Sequence, residues 1–95
     1  MARKISFDEN AWGEYVNWLD DDIKIGLKIN KLIKDILRDP FKGLGKPEPL
    51  RHDLKGYWSR RITEEHRIVY KVTDSAIIVI ACKNHYSGAA SRMDE

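Results

Sequence analysis

The period of the hydrophobic positions changes twice along this chain. Across Lys4–Phe7, Ile5 and Phe7 alternate with polar neighbours, which predicts a short first strand. Asp8 then supplies a helix cap, Glu9 puts a favourable acid in the first turn, and Trp12, Tyr15, Val16 and Leu19 recur at helical spacing. Asp20, Asp21 and Asp22 interrupt that pattern and cap a second helix. Its apolar stripe is Ile25, Ile29, Leu32, Ile33 and Ile36, opposite Lys24, Lys28, Lys31, Lys34 and Asp35. Pro40 disfavours a helical conformation at Asp39 and ends the helix. The two helices are expected to form a hairpin over one face of a sheet. The lysine-rich side reads as a solvated face, and Trp12 and Trp18 as packing residues.

Period two returns after a gap. Phe41 to Gly56 contains Gly43, Gly45, Gly56 and two of the three prolines, so it is expected to be a long irregular connection, a kind of segment often used for function. Tyr57–Thr63 and His66–Thr73 read as two strands of a hairpin around Glu64 and Glu65, although that pair lacks the glycine of a tight turn. After Asp74 and Ser75, the β-branched run Ala76–Lys83 predicts a central strand buried on both faces. The class is therefore α+β, in the order β-α-α-β-β-β, with two N-terminal helices packed on a small, mainly antiparallel sheet. Residues 1–86 are expected to be one domain, and 87–95, small and polar apart from Met93, a disordered tail.

Composition narrows the function classes. With 34% charged and 42% hydrophobic residues in 95 positions, the chain reads as one soluble globular domain, small enough that dimerisation is expected. No apolar run approaches the ~20 residues of a membrane helix, and MARKISFDEN lacks the apolar core of a signal peptide, so a cytoplasmic location is expected. The overall charge of +2 hides an asymmetry: residues 42–71 carry eight Lys/Arg against four Asp/Glu, while the flanking segments are each slightly acidic. A local basic patch interleaved with Tyr57, Trp58 and Tyr70 is the pattern of a polyanion-binding surface.

Strand alternation puts Arg67, Val69 and Lys71 on one face of the middle strand, and His66, Ile68, Tyr70 and Val72 on the other. Ser59, Arg61 and Thr63 share a face of the preceding strand, so Arg61 and Arg67 are expected to project into one groove. Guanidinium groups fixed on strands present forked donors that match phosphate. Glu48 is a candidate general base and His85 a candidate general acid, with Tyr86 placed to stack on a base or bond a phosphate. His66, on the apolar side, reads as structural. Cys82 has no partner for a disulfide and reads as a small buried hydrophobe. The spacing Cys82-x-x-His85 has no second ligand pair, and alternation separates the two, so zinc is not expected. Phosphate-binding glycine loops, GxSxG elbows and dinucleotide fingerprints are missing from the sequence.

The segments AWGEYVNW, INKLIKDILRDPFKGLGKPEPL, GYWSRRITEEHRIVYKV and ACKNHY together resemble the YoeB/Txe toxins of bacterial toxin–antitoxin systems, members of the RelE superfamily, over about residues 5 to 86. The resemblance implies a microbial ribonuclease fold and a ribosome-dependent mRNA endoribonuclease that needs no cofactor or metal. It implies a commonly homodimeric protein held inactive by a YefM/Axe-like antitoxin and reaching promoter DNA only through it. Residue by residue, it implies Glu48 as base, Arg67 as the group that stabilises the phosphate, and His85 and Tyr86 as the closing pair. Arg61, Arg51, His52 and Lys55 would contact RNA phosphates, on the message or on ribosomal RNA. Arg51 stands where a lysine is expected after PEPL, and the chain continues past the usual family end at Tyr86. Two readings compete: a non-catalytic nucleic-acid or partner-binding module acting in a repressor complex, and a phosphodiesterase needing no ribosome.

Overall fold

The computed structural model describes residues 2–84. Strand β1 (Lys4–Phe7) leads into α1 (Glu9–Asp21) and α2 (Ile23–Arg38). Four strands follow: β2 (Glu48–Pro49), β3 (Tyr57–Arg61), β4 (Arg67–Val72) and β5 (Ala76–Ala81). They form one sheet in the order β1-β5-β4-β3-β2, in which β1 runs parallel to β5 and every other pairing is antiparallel. The α+β architecture expected from the sequence is present.

Aspartates punctuate the helices. The Asp8 carboxylate accepts the Ala11 N–H at 2.8 Å and starts α1. Asp22 alone separates the helices: its N–H donates to the Trp18 carbonyl and its carboxylate accepts from Lys24 N. Helix α2 buries Ile29, Leu32 and Ile36 along the expected stripe. Helix α1 departs from expectation. It turns Ala11, Tyr15 and Trp18 toward the core, while Trp12, Val16 and Leu19 remain exposed beside Ile23 and Leu27. The apolar residues of α1 are spread over too wide an arc for one sheet contact to cover.

Strands also end differently from the sequence reading. Strand β5 lies inside the sheet, but only Ile77 and Val79 are buried in the core beneath the helices, which cover a single face; Ala81, beyond a register shift, is buried opposite Val69 instead. The β3–β4 turn spans 62–66 rather than two residues: Thr63 Oγ1 accepts the N–H groups of Glu65 and His66, while His66 O accepts those of Ile62 and Thr63. Within the expected irregular connection, Glu48 and Pro49 pair with Ser59 and Trp58, and His52–Leu54 form a 3₁₀ turn.

At the centre of the helix-covered face is a charge that the hydrophobic pattern does not announce. Arg60 is fully buried, and its guanidinium has an acceptor for each of its five N–H groups. Nε donates to Tyr70 Oη at 3.0 Å; Nη1 to Asp35 Oδ2 at 2.6 Å and Leu44 O at 3.1 Å; Nη2 to Asp39 O at 2.6 Å and Lys42 O at 3.2 Å. Tyr70 in turn donates to Pro40 O. Asp35, expected on the solvated side of α2, leans across to the cation and also accepts Leu44 N and Arg38. Residues 39–45 are thus wrapped around one guanidinium. Gly43 and Gly45 allow the wrap: both have positive φ, and a Cβ would strike the Asp35 carboxylate at the first and lie 2.8 Å from Arg61 O at the second.

The Asp35 carboxyl is lowered from 3.8 to about 2, chiefly by the Leu44 N–H, against an opposing effect of burial and with help from Arg60 and Arg38. Because the native state favours the ionised form, its stabilisation is complete above about pH 4 and is lost as pH falls toward 2. Acid unfolding followed by circular dichroism should therefore fall in that window, and Asp35→Asn should flatten the transition. Asp35→Asn should also cost roughly 3 kcal/mol in urea unfolding at pH 7, since it leaves Arg60 buried without its counter-charge.

Candidate RNA-processing cleft

The opposite face of the sheet carries the cleft. Strand register sets Glu48 against Ser59, Ser59 against Val69, and Arg61 against Arg67. Of these, Glu48, Ser59, Arg61 and Arg67, together with Lys46 and Pro47, line a cavity of about 330 Å³. Three cations face one carboxylate. Alternation thus divides adjacent arginines between two tasks, Arg60 within the core and Arg61 in the cleft.

Each wall has a local cause. Lys46 has φ 53, a left-handed turn just before Pro47, and the chain is then extended through Glu48 by pairing with β3. The Arg61 N–H donates to Gly45 O at 2.6 Å, so the same loop that encloses Arg60 is also pinned to the cleft strand. Arg67 is 9% exposed, and its Nη1 donates to three carbonyls of the turn, Thr63, Glu64 and His66, at 2.9, 3.0 and 3.2 Å. Burial first, then the neighbouring Arg61, pushes the Arg67 pKa down, while Glu48 and Glu64 oppose that shift. Glu48 therefore lies within electrostatic reach of the most enclosed cation in the cleft.

Not every sequence candidate converges there. Arg51, His52 and Lys55 are exposed on the β2–β3 connection, which Leu50 N closes onto Tyr57 O, and none of them lines the cavity. His85 and Tyr86 lie outside the described residues. Lys46 and Ser59 line the cleft although the sequence singles out neither as a site residue; Ser59 was legible by parity with Arg61, whereas Lys46 depends on the loop's path. Lys71 stands over the Tyr57 ring at 5.7 Å, further along the same face. Among the described residues, no group of three His, Cys, Asp or Glu side chains could hold a metal ion.

A two-helix layer on a small five-stranded mixed sheet is the fold of the RelE-like toxins of bacteria. A family model for the YoeB-like toxin of bacterial type II toxin–antitoxin systems matches residues 7–86, and the chain belongs to that family. It is 55% identical over 83 residues to toxin YoeB of Escherichia coli K12, covering 87% of this chain and 99% of that protein. A YoeB dimer from Staphylococcus aureus superposes with a TM-score of 0.84 at 44% identity, covering 90% of this chain and all of the other. A YoeB–YefM complex from the same organism gives 0.81 at 42% identity with the same coverage.

Cys82 takes no part in the cleft. It is fully buried, its Sγ faces Ala11 O at 3.6 Å, and burial, reinforced by Glu14, pushes its thiol up to about 12. The thiolate is the reactive form. Iodoacetamide at pH 8 should therefore leave the native protein unmodified, with alkylation appearing only as urea unfolds it.

Proposed function

We propose that this chain is a ribosome-dependent mRNA endoribonuclease that stops translation by cutting the message. The observation that most supports this reading is the cleft in which Glu48 faces Arg61 and Arg67. RNA carries its own nucleophile. Glu48 takes the proton from a ribose 2′-hydroxyl, and the oxygen attacks the adjacent phosphorus. Negative charge then grows on the non-bridging oxygens, where Arg67, aimed by the turn carbonyls, and Arg61 stabilise it. His85 gives a proton to the departing 5′-oxygen, and Tyr86 holds the base or phosphate beside it. The products are a 2′,3′-cyclic phosphate and a 5′-hydroxyl, with each proton accounted for by the chain and the substrate.

Dependence on the ribosome follows from what the cleft lacks. Its described lining offers three cations to a phosphate but few groups to bend a flexible strand into line, so the ribosome supplies the orientation. Exposed Arg51, His52 and Lys55 suit contacts with ribosomal RNA phosphates around the cleft rather than with the bond being cut. This reading places the protein in the cytoplasm. No described helix is long and apolar enough to cross a membrane. A YefM/Axe-like antitoxin would silence it and carry it to promoter DNA, and a homodimer is the expected free state. Exposed Trp12, Val16, Leu19, Ile23 and Leu27 offer the apolar surface that protein partners cover.

One message, assayed free, on ribosomes, and on ribosomes with a YefM-like antitoxin, should be cut appreciably only in the second case. Equal rates with and without ribosomes would favour a free phosphodiesterase, and no cutting by folded protein would favour a binding module. Glu48→Gln should lose roughly 10²–10⁴-fold in rate with its fold intact. Arg67→Lys should also slow cleavage despite conserving charge, because an ammonium lacks the fork that spans turn carbonyls and phosphate; full activity there would reduce Arg67 to general attraction.

A further inference from the structure

Beyond β5 the chain passes through a built junction beside Arg67. Asn84 has φ 68, a left-handed conformation that reverses the chain and that asparagine tolerates better than most residues. Both of its backbone groups are used. Its carbonyl accepts the Arg67 N–H at 3.1 Å, and its own N–H donates to Nδ1 of His66 at 2.8 Å. The imidazole proton is therefore on Nε2, which faces Glu65 Oε1 at 3.9 Å.

His66 is itself firmly held. Its N–H donates to Thr63 Oγ1, its carbonyl accepts from Ile62 N, Thr63 N and Arg67 Nη1, and its ring meets Trp18 of α1 edge-on at 4.7 Å. Helix α1 grips the same exit from the other side. Trp18 Nε1 donates to Cys82 O at 2.9 Å, and Glu14 Oε1 accepts Cys82 N at 2.7 Å. Lys83 Nζ stands 5.8 Å from the Trp18 ring centroid. One histidine thus joins three parts of the molecule: the turn that aims Arg67, the helix layer, and the segment that leaves β5 at Asn84.

We propose that His66 is a positioning residue for cleavage, whose Nδ1 fixes the Asn84 amide so that the Asn84 carbonyl, together with the carbonyl of His66 itself, holds Arg67 in place in the cleft. This deepens the reading of the cleft as a ribonuclease site and rests on it for its catalytic consequence. A histidine used only as core packing would need its ring against Trp18 but not its Nδ1 lone pair. The two uses are separable by substitution. His66→Phe keeps an aromatic ring against Trp18 and removes the acceptor. His66→Asn gives up the ring but retains an oxygen at the same number of bonds from Cα as Nδ1.

The experiment measures kcat and KM for ribosome-bound message, with thermal unfolding of each variant to confirm that it is folded at the assay temperature. His66→Phe should lower kcat roughly 10–100-fold, the scale of an ångström-level misplacement, with KM nearly unchanged. His66→Asn should recover most of kcat in spite of lower thermal stability. Wild-type kcat in His66→Phe, or equal losses in both variants, would overturn the proposal. A through-hydrogen-bond coupling between the Asn84 amide nitrogen and His66 Nδ1 in labelled wild-type protein is expected independently of any activity, and its absence would overturn the junction itself. If wild-type protein shows the coupling but cuts no message, the ribonuclease reading fails and takes with it only the catalytic role of His66.

Discussion

Most of this architecture depends on burying one guanidinium without leaving a donor unmet. A charged group removed from water is tolerated only when its partners replace hydration, and Arg60 meets that condition through one carboxylate, one phenol oxygen and three backbone carbonyls. Three of the five acceptors belong to the chain between α2 and β2, so satisfying Arg60 dictates the path of that segment. The segment then delivers Lys46 and Glu48 to the far face of the sheet. A core interaction on one side of the sheet thereby sets the geometry of the cleft on the other.

The cleft relies on backbone groups in the same way. Only strand parity separates Arg60 from Arg61, yet one is wholly buried and the other exposed. Arg67 is held by carbonyls of the turn immediately before it, which fix the direction of its guanidinium. Glu48 is the carboxylate lining the cavity, and it comes from a two-residue strand at the sheet edge. An edge strand that short has little pairing of its own. Its position depends on the loop anchored at Arg60 and on Gly45 O, which receives the Arg61 N–H.

Sequence alone determined the first strand, the two helices and the three longer strands that follow them, the Asp8 cap, the stripe of α2 and the placing of Arg61 with Arg67 on one sheet face, because each depends on periods and capping chemistry that are local. The two-residue β2 and the choice of Asp22 over Asp20 and Asp21 as the cap came only with folding. The motifs around Glu48, Arg67 and the closing His85–Tyr86 pair carried the family in the same way. Tertiary structure decided what local patterns leave open. Asp35 reads as solvated from its lysine neighbours, yet it turns inward because a buried cation 25 residues away needs it. Trp12, Val16 and Leu19 read as core, yet the sheet has room only for the Ala11, Tyr15 and Trp18 side of α1. Arg51, His52 and Lys55 share a basic stretch with Arg61, yet a hairpin connection carries them away from the cavity. His66 reads as packing, yet its Nδ1 meets the Asn84 amide 18 positions on. In each case the deciding partner is distant in the chain, and only folding brings together the donors and acceptors whose mutual satisfaction selects the arrangement.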